Sequence, residues 1–221
     1  MLDDKTRYLQ LAFNYDARMV GLLLPRVPYS PRIMIEAGTP FIKREGMAGI
    51  RFIRRLWPGL VVADIKVADG AAEEVRMVRA AGANAVTVLG NAPHETIMLF
   101  IKECQAAGMV SMVDMIGVPD PLEVLRPLRV PPDVVVLHLG RDEETTRGKL
   151  IQYRHVNRIR SKFPVIISAA GGVGIGEARS AIFNGANIVV ANIVQSGDVW
   201  RGISAGEDLG QMSREFLTTI E

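Results

Sequence analysis

The chain has 221 residues, 48% of them apolar and only 6% aromatic, and a net charge of +2. That length suits one α/β barrel or one doubly wound sheet, and few aromatics favour a parallel sheet of Val, Ile and Ala over a β-sandwich. The near-neutral charge makes no case for nucleic acid, and one cysteine, Cys104, excludes an intrachain disulfide and a cysteine zinc cluster.

The opening "MLDDKTRYLQ" carries acids where a signal peptide needs a basic region. No apolar run reaches the roughly 18 residues of a membrane-spanning helix. A cytoplasmic protein without a membrane partner is expected. Strand character begins with "LQLAFN" (9–14), and "DARMVGLLLPRVPYSP" follows as a weak helix that its prolines should end by Pro25. "RIMIE" (32–36) leads into the helical pattern of "MAGIRFIRRLW", and "LVVADIK" (60–66) into "AAEEVRMVRAAG". "AVTVLG" (85–90) precedes "ETIMLFIKECQAAG", where helical periodicity makes Cys104 a packed small residue rather than a nucleophile. The strand runs continue with "MVSMVDM" (109–115), "DVVVLH" (133–138), "FPVIISA" (163–169) and "NIVVAN" (187–192), and a C-terminal helix closes the chain. Basic "IRFIRRL" and "YRHVNRIRSK" read as solvated helix faces.

Strand and helix alternate throughout, no linker intervenes, and the simplest closure is one (β/α)8 TIM barrel spanning 1–221. The alternative, an open doubly wound sheet, usually places a glycine trio after its first strand, where this chain has "NYDAR".

Ionisable residues gather at the strand ends. Side chains alternate along a strand, so Asp64 and Lys66 share a face and Ile65 turns to the helices. Asp69 falls in the loop above the barrel mouth. The same parity places Glu36 with Met34, and puts Asp114 and His138 at the ends of their strands, with Arg141 and Asp142 just beyond. Asp69 and Asp142 also suit helix N-caps, whereas Glu36 and Asp64 sit inside apolar runs. His94 and His155 belong to helix starts or faces and carry no function. Convergent carboxylates repel unless a proton or cation intervenes, and oxygen ligands favour Mg²⁺ over zinc. Lys66 can stabilise an oxyanion, and His138 can shuttle protons near neutral pH. After strand seven, "ISAAGGVGIGEA" offers Gly171, Gly172, Gly174 and Gly176 before a helix, an anion cradle suited to phosphate.

These residues resemble a known family. "ADIKVADG" is similar to the D-x-K-x-x-D motif of the orotidine monophosphate decarboxylase suprafamily, and the similarity runs from about Leu9 to Val194. "MIEAGTPFIKREG", "NAVTVLGNAPHETI" and "VSMVDMIGVPD" resemble its 3-hexulose-6-phosphate synthase branch. The resemblance implies a (β/α)8 homodimer in which Asp69 reaches the partner's site. Glu36 and Asp64 correspond to Mg²⁺ carboxylates, Lys66 to the residue beside an enediolate, His138 to the proton carrier, and Gly171 and Gly172 to the phosphate grip. A glutamate at position 36, where orotidine decarboxylases carry lysine, argues against that activity. The implied reaction is addition of formaldehyde to ribulose 5-phosphate, with Asp114 also at the substrate.

The sequence departs from the pattern in three places. Asn14 replaces a substrate-contacting aspartate, and Ala191-Asn192 replaces Gly-Gly or Gly-Arg at the phosphate. Arg141, three residues after His138, resembles the 3-keto-L-gulonate-6-phosphate decarboxylase branch. A decarboxylase of that type, or a non-catalytic sugar-phosphate-binding barrel, is the alternative.

Overall fold

In a computed structural model, which describes residues 2–146 and 150–221, eight parallel strands close into a barrel. They are β1 Tyr8–Phe13, β2 Ile33–Ala37, β3 Leu60–Val67, β4 Ala85–Leu89, β5 Val110–Asp114, β6 Val134–His138, β7 Ile166–Ala170 and β8 Ile188–Val194. Each pairs with the next, and β8 returns to β1 with Tyr8 opposite Ile188 and Phe13 opposite Ile193. This is the expected (β/α)8 TIM barrel. Between the strands run α1 Ala17–Leu23, α2 Thr39–Leu56, α3 Ala71–Ala80, α4 His94–Ala107, α5 Pro121–Leu125, α6 Arg141–Glu144, α7 Val156–Arg160 and α8 Ile175–Phe183, and α9 Leu209–Thr219 closes the chain.

Local chemistry sets the boundaries. Asp16 caps α1 by accepting the Met19 N–H at 2.8 Å, and the helix stops at Leu23, ahead of Pro25. α4 ends on Gly108 at φ +63°, the left-handed cap that glycine takes without steric cost. A two-residue strand, β9 Ile203–Ser204, pairs with the end of β8. The sequence gives no warning of it, because two residues are too few to show alternation.

Strand parity separates two apolar layers. Leu9, Leu11, Ile33, Ile35, Val61 and Ala63 face the helices, while Ala12, Met34, Val62, Ala85, Met112 and Val134 fill the barrel. Leu2, Tyr8, Leu60 and Val110 close its N-terminal end. Cys104 is fully buried in the outer layer, as expected, and burial pushes its thiol far above the usual range. The regular alternation breaks once in β3. Register slips between Ala63 and Val67, and Lys66 adopts φ +52°. No helix among the described residues is long and apolar enough to cross a membrane.

Candidate active site

The C-terminal strand ends surround a cavity of about 190 Å³. Its wall includes Gln10 and Asn14 from β1 and its exit, Glu36 from β2, Asp64 and Lys66 from β3 and Thr87 from β4. Asp114, His138, Arg141, Gly171 and Asn192 complete the ring. Residues 178 positions apart meet here in the Asn14–Asn192 hydrogen bond of 3.0 Å.

Lys66 is the hub. Its Nζ donates to Asp64 Oδ1 at 3.2 Å and also to Asp114 Oδ2. The unusual backbone of Lys66 is held by its own N–H, which donates to Thr87 Oγ1 at 3.0 Å. Thr87 Oγ1 in turn donates to Asp64 Oδ1 at 2.8 Å, and Thr39, the first residue of α2, is 2.8 Å from Asp64 Oδ2. Asp114 is almost wholly buried and receives the Ile116 N–H at 3.0 Å, while His138 Nδ1 lies 2.9 Å from its Oδ2. The site therefore alternates in charge from His138 through Asp114 and Lys66 to Asp64.

Burial and neighbours set each protonation state. Burial pulls the Lys66 ammonium down, but Asp64 and Asp114 outweigh it and hold the group above the usual lysine range. Burial pushes Asp114 up, but His138 and Lys66 hold it well below the usual carboxylate range. For His138, burial favours the neutral ring, and Asp114 overcomes it to raise the pKa. Glu36 differs. Burial and then the charge of Asp64 raise it to about 7, although Gln10 Nε2 donates to its Oε2 at 2.5 Å.

Two carboxylates so placed call for a proton or a cation between them. Among the described residues no group of three or more His, Cys, Asp or Glu is arranged to hold a metal. Mg²⁺ needs fewer, since it is commonly bound through one or two carboxylates with the remaining positions left to water and substrate oxygens. Glu36 and Asp64 fit that donor set.

Asp69 keeps to the loop beyond β3, and two rim positions, Ala191 and Gly172, depart from expectation. Asp69 is exposed and lies outside the cavity, over a surface depression with Glu73, Arg76 and Glu95, its Oδ1 accepting the Gly70 N–H at 2.8 Å. Ala191 turns into the outer layer and is fully buried there, because its neighbour Asn192 takes the inward parity. Gly172 borders an adjoining cavity of about 220 Å³, with Glu144, Glu177 and Arg201, rather than the main one. Gly171 does line the main cavity at φ +99°, where an added Cβ would stand 2.0 Å from the Leu139 carbonyl oxygen. The Arg141 guanidinium stacks 4.2 Å from the ring of Trp200, in the segment joining β8 to β9. Trp200 thus packs at the barrel rim.

Sequence reasoning passed over Gln10, Thr39, Thr87 and Glu144, all of which line the cavity. Gln10 was within reach, because it shares parity with Asn14 in an otherwise apolar strand. The two threonines are ordinary in strands and helix starts, and Glu144 lies in a helix of one turn that shows no periodicity.

A model of the orotidine 5′-phosphate decarboxylase / HUMPS family matches residues 23–199. The bifunctional enzyme Fae/Hps of Methanothrix thermoacetophila is 38% identical over 216 residues, covering 97% of this chain and 53% of that protein. Its counterpart in Methanosphaerula palustris is 36% identical, with 96% of this chain and 52% of that protein covered. The chain thus spans about half the length of the curated relatives it matches. The crystal structure of 3-hexulose-6-phosphate synthase from Salmonella typhimurium superimposes with a TM-score of 0.83 at 27% identity, covering 96% of this chain and 98% of that one.

Proposed function

This chain belongs to the orotidine 5′-phosphate decarboxylase / HUMPS family, and from that premise we propose that it is a hexulose-phosphate-synthase-type lyase that joins formaldehyde to ribulose 5-phosphate. The reading is supported by its likeness to Fae/Hps enzymes and to a 3-hexulose-6-phosphate synthase. The observation that carries it is the buried array of Glu36, Asp64, Lys66, Asp114 and His138 around one small cavity.

The reaction removes a proton from C1 of the ketose, forms a bond from C1 to the formaldehyde carbon, and protonates the new alkoxide. Lys66, kept charged by its two carboxylates, stabilises the oxyanion as C1 loses its proton and does not itself act as base. Asp114 engages His138 Nδ1 and leaves Nε2 to the cavity, where the neutral ring takes the C1 proton and the resulting imidazolium, paired with Asp114, returns it to the new alkoxide. Glu36 and Asp64 would hold Mg²⁺, which supplies positive charge for neighbouring sugar oxygens when bound. Asn14, hydrogen-bonded to Asn192, offers an uncharged amide to sugar hydroxyls. The Gly171 turn, leading into α8, receives the phosphate. The working unit is a homodimer in which Asp69 completes the partner's site.

Purified protein should consume formaldehyde in a manner dependent on ribulose 5-phosphate and Mg²⁺, and Asp64→Ala should lower kcat/KM by about a thousandfold, as loss of a central electrostatic group does. Turnover absent under these conditions, or unchanged by the substitution, refutes the proposal. Arg141 in the cavity favours a second reading, decarboxylation of 3-keto-L-gulonate 6-phosphate. Release of carbon dioxide from that substrate separates the two.

A further inference from the structure

Glu144 ends α6, the short helix whose first residue, Arg141, faces the cavity. Its neighbours Thr145 and Thr146 are exposed, but Glu144 turns inward and is only partly accessible. It lies across the glycine turn. An atom added as Cβ to Gly172 would stand 3.4 Å from both Cδ and Oε2 of Glu144. Oε2 also accepts the backbone N–H of Arg201 at 3.5 Å. Burial raises the Glu144 carboxyl, while the N–H groups of Arg201 and Gly172 draw it back down, as expected of a carboxylate resting on backbone donors. The chain therefore presents its own anion to the turn that leads into α8.

We propose that Glu144 is a specificity-determining residue of the anion subsite, holding the place of the ligand's phosphate at the Gly171–Gly172 turn until the ligand displaces it. The inference rests on the reading that this turn receives phosphate. A seated carboxylate repels an incoming anion, so a ligand must offer more than one negative charge and several acceptor oxygens to replace it. Neutral sugars have nothing with which to do so. Glu144 shares the one-turn helix α6 with Arg141, whose guanidinium stacks on Trp200.

The experiment is calorimetric titration of the folded protein with inorganic phosphate, comparing wild type with Glu144→Gln and Glu144→Ala. Both variants remove the competing charge, one keeping the shape, and each should bind phosphate roughly five- to tenfold more tightly, the equivalent of removing one screened like-charge contact. A merely structural role for Glu144 predicts the opposite sign. Equal or weaker binding by the variants, with measurable binding by wild type, overturns the role of Glu144 alone. Absence of phosphate binding in all three proteins overturns the phosphate reading, and this inference with it.

Discussion

Lys66 lies between Asp64 and Asp114, and its ammonium offsets the cost of burying both carboxylates. His138 stands on the far side of Asp114, so the same carboxylate stabilises two cations. This gives His138 a definite effect on stability. Its folded pKa lies above the ordinary value, with burial opposing and Asp114 prevailing, so protonation favours the folded chain. The contribution is present in full below about pH 6.5, the unfolded value, and is lost as pH rises through the higher folded value. The melting temperature of wild type should therefore exceed that of His138→Asn by more at about pH 6 than at about pH 9. A gap that is constant or widens with pH would show that Asp114 does not favour the charged ring. Glu36 adds a loss of stability in the same direction. Burial and Asp64 raise it to about 7, so ionising it in the absence of a cation costs stability as pH rises above the unfolded value of 4.5.

Among the elements, β7, its glycine turn and α8 show how strictly backbone geometry fixes the site. Gly171 has φ +99°, and the Leu139 carbonyl fills the space a Cβ would need. Gly171→Ala should lose about 2 kcal/mol or more in urea unfolding, since it adds a clash to a backbone conformation that L-residues avoid. Gly176, inside α8 with nothing near its Cβ position, is the control. Gly176→Ala should be neutral or stabilising by up to about 1 kcal/mol, because alanine is the better helix former. Equal losses at both positions would sink the distinction. Much of this was legible from the sequence. Alternation alone assigned Glu36, Asp64 and His138 to the inner face, because a strand of period two leaves no other choice. It could not foresee the slip in β3 that gives Lys66 its left-handed backbone, since a bulge depends on the neighbouring strand rather than on local propensity. Nor could it find Glu144, because four residues carry no period. Ala191 was misplaced for a different reason. It was assigned by likeness to a motif, although the parity of Asn192 already turned it outward.

At the scale of the whole molecule, the unresolved tension lies in the "DIKVAD" segment, whose two aspartates part company. Asp64 is buried at the centre of the charge array, whereas Asp69 is solvent-exposed beside the starts of α3 and α4. An acid in that position does nothing for its own cavity. In the proposed homodimer it would act across the interface, and a two-fold arrangement would give every site the Asp69 of the opposite subunit. That geometry makes a quantitative prediction. Asp64→Ala and Asp69→Ala should each be inactive as purified homodimers. Co-expressed with different affinity tags and isolated through both, the mixed dimer contains one site that combines an intact Asp64 with the other subunit's intact Asp69, and one that has neither. It should recover about half of the wild-type activity per dimer, or about a quarter in a randomly mixed, unselected population. A doubly tagged dimer without activity would place Asp69 outside the catalytic machinery, leaving it as a surface residue ahead of α3 and the array of Asp64, Lys66 and Asp114 sufficient within a single barrel.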